Sequence, residues 1–173
     1  FVGKNFLLTY HLGPLKSVSS TIDRVLKNAP VIARAPDRLT YTILDFLLEN
    51  YGPALEQLSG EIAALEEEML VSHSRDILSK VLQLKSQVQR LRQIVYPQRE
   101  VIARVAHGEF KVVRAHLLPY YRDLQDHLAR ISDQADTYRD TLTNTLQVHL
   151  NLQQMEDNRV ITVLTVRDTL TLP

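Results

Sequence analysis

The last third of the chain carries a heptad seam, which constrains the fold more than any other feature of the 173-residue sequence. Its apolar or small residues recur at alternating steps of four and three: Leu117, Tyr121, Leu124, Leu128, Ile131, Ala135, Tyr138 and Leu142. One helix in water cannot bury such a stripe, so the pattern predicts a long helix packed against partner helices. Beyond the seam the stripe becomes polar, while Val160 to Val166 is locally hydrophobic. This change suggests a stalk that runs toward a membrane.

Charge and cysteine content exclude several functional classes. The 20 Lys and Arg residues balance the 20 Asp and Glu residues, so no net charge attracts nucleic acid or an anionic surface. The chain has no Cys, which excludes a disulfide framework, thiolate metal sites and Cys nucleophiles. No stretch reaches the roughly 18 to 20 apolar residues that span a bilayer. We therefore expect a chain without a nucleic-acid partner and without a membrane span of its own.

The N-terminal region predicts one strand and one short helix. Phe6 to Tyr10 is rich in β-forming residues and indicates an edge strand or half of a hairpin. Ser20 to Asn28 carries an apolar face at helical spacing, and Pro30 is its stop signal.

Two longer helical blocks follow. The first runs from a cap at Asp37 to about Val71, and Pro53 inside it predicts a kink near 49–52, because proline removes a backbone hydrogen bond. The second starts near Ser74 and ends before Gly108. The short turn between the blocks predicts antiparallel neighbours. The first block is acidic and the second basic, which supports that pairing.

The sequence offers no pattern for catalysis. It lacks a glycine-rich phosphate loop and a His-Glu-x-x-His motif, and no nucleophile-elbow context surrounds its serines. We therefore expect no enzyme. Asp123 and His127 stand four residues apart and could share a transition-metal ion, although such surface pairs arise easily by chance. The acidic residues of the first long block either bind divalent cations or are solvated charges, and the second interpretation is favoured.

Five short segments carry motifs that a generic coiled coil would not have: Phe1 to His11, Leu91 to Val101, Tyr121 to His127, Tyr138 to Asp140 and Asn158 to Thr165. Together they resemble the CorA family of divalent-cation transport proteins. In that order they are similar to the last strand of the family's cytoplasmic sheet, its segment ending in Pro-x-Arg-Glu-Val, the start of its stalk helix, a second aromatic-Arg-Asp element and the stretch that enters its first membrane helix.

The resemblance implies a mainly α fold like that of the CorA cytoplasmic domain. Its parts are a remnant of an α/β domain with an N-terminal strand over 1–36, an antiparallel hairpin of long helices over 37–108, and a long stalk helix over 115–173 that reaches the start of the first membrane helix. The membrane segments then lie beyond Pro173. The expected location is the cell inner membrane, with this segment on the cytoplasmic side.

The resemblance also implies a function and a set of site residues. The family forms homopentamers around a central path for Mg2+, with Co2+, Ni2+ or Zn2+ as alternative ions. By position, Asp123 matches a stalk acid of an intersubunit regulatory metal site, and Asn158 and Leu164 match pore-lining residues. An Asn ring can hydrogen-bond the waters of a hydrated cation, and a Leu ring can gate by dewetting. Gln147 stands on the pore-facing stalk where the family often has an acid.

Two alternatives stay open at this point. The chain is either part of such a transporter or a soluble coiled-coil interaction or scaffolding protein without transport activity. The heptad seam packs either against the same helix of neighbouring protomers, as the resemblance implies, or back onto the helical hairpin of its own chain. Arg167 and Asp168 do not fit a membrane helix, because each costs several kcal/mol in a bilayer unless paired or facing water.

Overall fold

The computed structural model describes the backbone of residues 1–32, 35–71 and 76–171, and their side chains except those at 28–32, 70–71, 164 and 166–171. Within these ranges the chain is mainly α, as predicted. Its helices are α1 (Lys16–Ile32), α2 (Pro36–Glu49), α3 (Tyr51–Val71), α4 (Asp76–Ala106) and α5 (Leu118–Thr171), with a 3-10 turn at Ala115–Leu117 before α5.

The chain divides into two compact units. The first contains Phe1–Gln57 and Arg90–Ala135, and the second contains Leu58–Gln89 and the chain from Asp136 onward. Helices α3, α4 and α5 each contribute to both units, because the boundaries fall inside them. In the second unit, Lys80 of α4 forms an ion pair with Glu68 of α3 at 2.6 Å. This contact confirms the predicted antiparallel hairpin, whose turn at 72–75 lies outside the described residues.

The N-terminal segment forms a tight hairpin, one of the two alternatives predicted for Phe6 to Tyr10. Its only β pairing is an isolated antiparallel bridge between Val2 and Leu7, within the part of the chain that the structure describes. The backbone N–H of Leu8 donates to the Phe1 carbonyl at 2.8 Å. A two-stranded pair on its own is marginally stable, and no third strand within the described residues extends this one. The side chains of Phe6 and Tyr10 are consequently exposed.

Two boundary predictions need correction. Helix α1 begins at Lys16 and continues to Ile32, so it is longer at both ends than the predicted Ser20 to Asn28. Its early residues Ser17 and Thr21 are buried, which indicates that tertiary packing extends the helix beyond its local pattern. Helix α2 begins one residue before Asp37, at Pro36. Asp37 is therefore not the cap; its carboxylate is used in a long-range contact.

The predicted helix breaks are confirmed. Asn50 separates α2 from α3, as expected for a proline at position 53, whose ring clashes with the carbonyl four residues earlier. Helix α4 ends in a Schellman motif: Glu109 N–H donates to the Arg104 carbonyl at 3.2 Å and Gly108 N–H to the Val105 carbonyl at 2.9 Å. Gly108 has φ +76°, a conformation that glycine adopts without steric cost.

The heptad seam is covered within a single copy of the chain. Each of its eight residues is at most 8% exposed, six of them in the first unit and Tyr138 and Leu142 in the second. The partners of the seam are therefore helices of the same chain. This corrects the implication that neighbouring protomers bury it and supports folding back onto the hairpin. Within the described ranges, no helix contains an apolar run long enough to cross a membrane.

Candidate functional site

The best-formed polar network of the first unit is built around Asp37. The guanidinium of Arg114 donates to its two carboxylate oxygens from Nε at 2.8 Å and from Nη2 at 2.9 Å. The backbone N–H groups of Arg114 and Arg38 donate to the same carboxylate at 3.1 and 2.9 Å. The Asp37 side chain is only 3% exposed, whereas that of Arg114 is 50% exposed. A buried carboxylate with four donors is a rigid attachment between α2 and the segment before α5.

These contacts set the pKa of Asp37. Burial acts to raise the pKa, but the hydrogen bonds from Arg114 and Arg38 and the charge of Arg114 together outweigh it, so the pKa lies below its ordinary value. Folding therefore favours the ionised form of Asp37.

An aromatic cluster continues this network along α2. Tyr41, one helical turn after Asp37, makes edge-to-face contacts with Tyr120 and Tyr121, with ring centroids 5.6 and 5.9 Å apart. The hydroxyl of Tyr121 donates to the Asp37 backbone carbonyl at 2.8 Å. Burial, with the nearby negative charges, raises the pKa of the Tyr121 hydroxyl. The N-terminal half of α2 is thus joined to the start of α5 by aromatic packing and by the Tyr121 hydrogen bond, and to the segment before α5 by the Asp37–Arg114 ion pair.

Two carboxylates from different helices act on Tyr41. Burial is the largest cause of the raised pKa of the Tyr41 hydroxyl, and the negative charges of Asp45 and Asp123 raise the pKa further. The positive charge of Arg24 has a smaller, opposite effect. Asp45 follows Tyr41 by one turn of α2, and Asp123 follows Tyr120 by three residues of α5. The charges of Asp45 and Asp123 thus act on the same tyrosine hydroxyl from two different helices.

The predicted metal residue Asp123 thus acts on the same tyrosine as Asp45, one of the acidic residues of the first long block. Asp123 is exposed and His127 is half-buried. No group of three or more His, Asp or Glu side chains is arranged to hold a metal ion within the described residues. The sequence places Tyr41 and Asp45 on one face of a helix through their i, i+4 spacing, but no local pattern connects that face to α5. No sequence pattern singled out Arg114 either.

The predicted pore residues lie on the C-terminal part of α5. Gln147 and Asn158 are exposed and eleven residues apart, which places them on one face of the helix, three turns apart. The Gln147 amide donates to Asn151 Oδ1 at 3.2 Å, and the Thr162 hydroxyl donates to the Asn158 carbonyl at 2.9 Å. The side chain of Leu164 lies outside the described residues, as do those of Arg167 and Asp168.

Apolar side chains near the same end of α5 are also exposed. Met155, Val160, Ile161 and Val163 are between 54% and 69% exposed. A continuous helix with both a polar face and uncovered apolar residues has surface available for contacts beyond its own unit.

In the second unit, the buried residue His149 has a ring nitrogen without a hydrogen bond to any described residue. It is 3% exposed, and its Nε2 atom has no hydrogen-bond partner among the described residues. One turn earlier, the Thr145 hydroxyl is satisfied by donating to the Thr141 carbonyl at 2.9 Å. His149 is therefore a buried polar group with an unsatisfied atom, at the position where the apolar seam gives way to polar residues.

Solved structures identify the class of the fold. The complete structure of the CorA magnesium transporter from Methanocaldococcus jannaschii matches with a TM-score of 0.81 at 22% identity, covering 92% of this chain and 51% of that one. The soluble domain of the same protein matches with a TM-score of 0.70 at 21% identity, covering 80% of this chain and 56% of that one. The fold is that of the CorA soluble domain.

Sequence comparison then gives the family. The family model described as "CorA-like Mg2+ transporter protein" matches residues 1–173. The cobalt/magnesium transport protein CorA of Thermotoga maritima is 32% identical over 152 residues, covering 87% of this chain and 43% of that protein. The protein of the same name in Methanocaldococcus jannaschii is 23% identical over 172 residues, with 98% and 54% covered. The chain belongs to the CorA-like Mg2+ transporter family, and it spans about half the length of the curated relatives that it matches.

Proposed function

We propose that this chain is the hairpin-and-stalk part of a CorA-like transporter that moves Mg2+, or Co2+, Ni2+ or Zn2+, across the cell inner membrane. The observation that carries the proposal is the family match over residues 1–173. In this proposal the chain lies on the cytoplasmic side as part of a homopentamer, and membrane helices follow Pro173. The division into an α/β remnant over 1–36, a hairpin over 37–108 and a stalk over 115–173 belongs to the same proposal.

The stalk helix α5 is proposed to line the intersubunit ion path. Gln147 and Asn158 share one face of α5 and are exposed, which supports a role at a surface that other copies of the chain enclose. Their amides can hydrogen-bond the water shell of a passing cation. Leu164, one and a half turns beyond Asn158, is proposed as the apolar constriction.

Transport by the complete reading frame tests this role. We expect Asn158→Ala to lower Mg2+ uptake in cells that lack other Mg2+ uptake systems, because the pore then has fewer amides that hydrogen-bond the water shell of the ion. Asn144→Ala is the matched control, since Asn144 is an exposed asparagine of the same helix. Equal uptake by the two variants would contradict the pore role of Asn158. Absence of both membrane insertion and uptake in the wild type would favour the soluble scaffold instead.

Asp123 is proposed as part of a cation-sensing regulatory site. The exposed position of Asp123 and its charge effect on Tyr41 of α2 support this role, because Mg2+ is commonly held by one or two carboxylates while it keeps several waters. In the test, Mg2+ is added to the protein and protection against a protease is measured. We expect Asp123→Lys to abolish the protection and Asp126→Lys, at an exposed aspartate of the same helix, to keep it. Undiminished protection in the Asp123 variant would place the ion elsewhere.

A further inference from the structure

A cleft in the first unit is lined by three segments that are distant in sequence. The tip of the N-terminal hairpin contributes residues 2–5, the start of α2 contributes 35–37, and the linker before α5 contributes three residues between 111 and 114. The volume of the cleft is about 690 Å³. Pockets that bind small organic ligands usually measure roughly 300 to 1,000 Å³. The cleft therefore has room for an organic molecule, and all of its described lining residues belong to one compact unit.

Two lysines line this cleft without a neutralising partner. Lys4 lies at the hairpin tip and Lys111 in the linker, and both are exposed. Neither ammonium group forms an ion pair or a hydrogen bond with another residue in the described part of the chain. Like charges that share one cleft repel each other, and a bound anion replaces that repulsion by attraction.

The carboxylate of the cleft has nothing left to offer a cation. Asp37 is the acid among the described lining residues, and its side chain is only 3% exposed. Its two oxygens accept four hydrogen bonds, two from the Arg114 guanidinium and two from the backbone N–H groups of Arg114 and Arg38. A carboxylate has about four acceptor sites, so Asp37 is saturated. The cleft consequently suits an anion and not a metal ion.

Arg114 also lines the cleft and keeps donors for a ligand. A guanidinium has five N–H donors, and two of them bind Asp37 through Nε and Nη2, which leaves three. Nη1 has no acceptor among the described residues, and the Arg114 side chain is 50% exposed. The ion pair with Asp37 holds the guanidinium in one orientation. Its remaining N–H groups are thereby prepared for the forked hydrogen bonds that arginine makes to phosphate.

The rest of the lining is largely apolar. Val2 of the hairpin, Ala35 and Pro36 at the start of α2, and Val112 of the linker all border the cleft. Ligand pockets typically combine such an apolar lining with a few polar groups that fix the orientation of the ligand. Inorganic phosphate would use the basic groups alone, whereas a phosphate joined to a larger organic group would contact both kinds of lining.

We infer that this cleft binds a nucleotide or a similar organic polyphosphate. Its phosphates pair with Lys4, Lys111 and the exposed edge of Arg114, and its less polar part lies against the apolar lining. The binding needs neither Asp123 nor the pore residues of α5, so it goes beyond the proposed transport role and does not depend on it.

Isothermal titration calorimetry of the full chain with ATP tests the inference. The titration is made in EDTA, because removal of divalent ions separates nucleotide binding from any cation site. We expect ATP to bind, pyrophosphate to bind more weakly, and adenosine to show no measurable binding. The affinity for ATP should fall as the salt concentration rises, since exposed charges are screened by salt.

Substitution of the two lysines locates the site. We expect Lys4→Gln and Lys111→Gln each to weaken ATP binding by about threefold to tenfold, and the double variant to weaken it further. Lys111→Arg keeps the charge and should retain binding. Lys27→Gln is the matched control, because Lys27 is an exposed lysine of the same unit outside the lining of the cleft. Thermal unfolding of each variant shows whether the fold is retained, and both lysines are exposed, so we expect no change.

Several outcomes would overturn the inference, and none of them bears on the proposed transport role. The first is a wild type that does not bind ATP, and the second is a double variant of Lys4 and Lys111 that binds ATP as the wild type does. Equal weakening by Lys27→Gln would show attraction to positive charge in general. Pyrophosphate binding as tight as that of ATP would rule out an organic ligand, because the apolar lining would then contribute nothing.

Discussion

At the scale of single residues, Asp37 links protonation to folding. Its carboxylate is ionised in the folded chain and accepts donors from Arg114 and Arg38, which lowers its pKa. A carboxyl whose pKa is lowered by folding stabilises the folded state in full at every pH above its pKa in the unfolded chain, which is about 3.9 for Asp. The contribution is lost as the pH falls through the folded pKa. Because Arg114 is half exposed, solvent screening keeps this contribution modest.

Replacement of Asp37 by Asn tests this linkage. We expect Asp37→Asn to lower the free energy of unfolding by about 1–2 kcal/mol near neutral pH, because an amide accepts less strongly from Arg114. The difference from the wild type should shrink as the pH falls below about 4, because the carboxyl is protonated first in the unfolded wild type and, at lower pH, in the folded one. Urea unfolding at several pH values measures it. Asp126→Asn, at an exposed aspartate, is the control and should show no pH-dependent difference.

His149 offers the opposite case, a residue whose removal should help. Its buried Nε2 lost water on folding without gaining a partner among the described residues. We expect His149→Leu to raise the free energy of unfolding by about 1 kcal/mol or more, because it removes an unsatisfied polar atom and buries apolar area instead. Urea unfolding near neutral pH provides the measurement. His116→Leu, at an exposed histidine, should stay within about 0.5 kcal/mol of the wild type. A destabilised His149 variant would indicate that the imidazole has a partner.

At the scale of elements, local physics explains which features the sequence could predict. Helix breaks near Pro53 and Gly108 follow from the residues themselves, and the seam follows from a spacing that any helix obeys. The pairing of Asp37 with Arg114 joins residues 77 positions apart, and no local pattern encodes it. Helix α1 continues past Pro30, against the local stop signal. Of the two predictions for Phe6 to Tyr10, the hairpin is the one observed, because an edge strand needs distant partners that the local sequence does not supply.

Two glycines in opposite settings test the helix-end interpretation. Gly108 has φ +76°, and an added Cβ would approach Leu118 Cδ1 to 3.3 Å, so Gly108→Ala should cost about 1 kcal/mol or more of unfolding free energy. Gly60 lies inside α3 with nothing within 4 Å of an added Cβ. Gly60→Ala should therefore stabilise by about 0.5–1 kcal/mol through helix propensity. Urea unfolding of both variants measures the signs, and equal signs would contradict the Schellman end of α4.

At the scale of the whole molecule, the heptad seam and the C-terminal part of α5 have different partners. The seam residues are buried by their own chain, so they do not need a second copy. The apolar residues Val160, Ile161 and Val163 are exposed in the single chain and lie at the end where pore residues are proposed. Exposed apolar area of this kind promotes association, since burying it gains about 25 cal/mol per Å². Self-association should therefore depend on this end of α5 and not on the seam.

A triple substitution separates association from folding. We expect Val160→Thr, Ile161→Thr and Val163→Thr together to lower the apparent mass in sedimentation equilibrium at a fixed protein concentration. The free energy of unfolding extrapolated to low concentration should change little, because these side chains are already in water. The control makes the same change at exposed apolar residues of α4, namely Leu82→Thr, Ile94→Thr and Val101→Thr. If the control lowers the mass equally, or the α5 substitutions leave it unchanged, copies associate through another surface and the proposed ion path along α5 loses its physical basis.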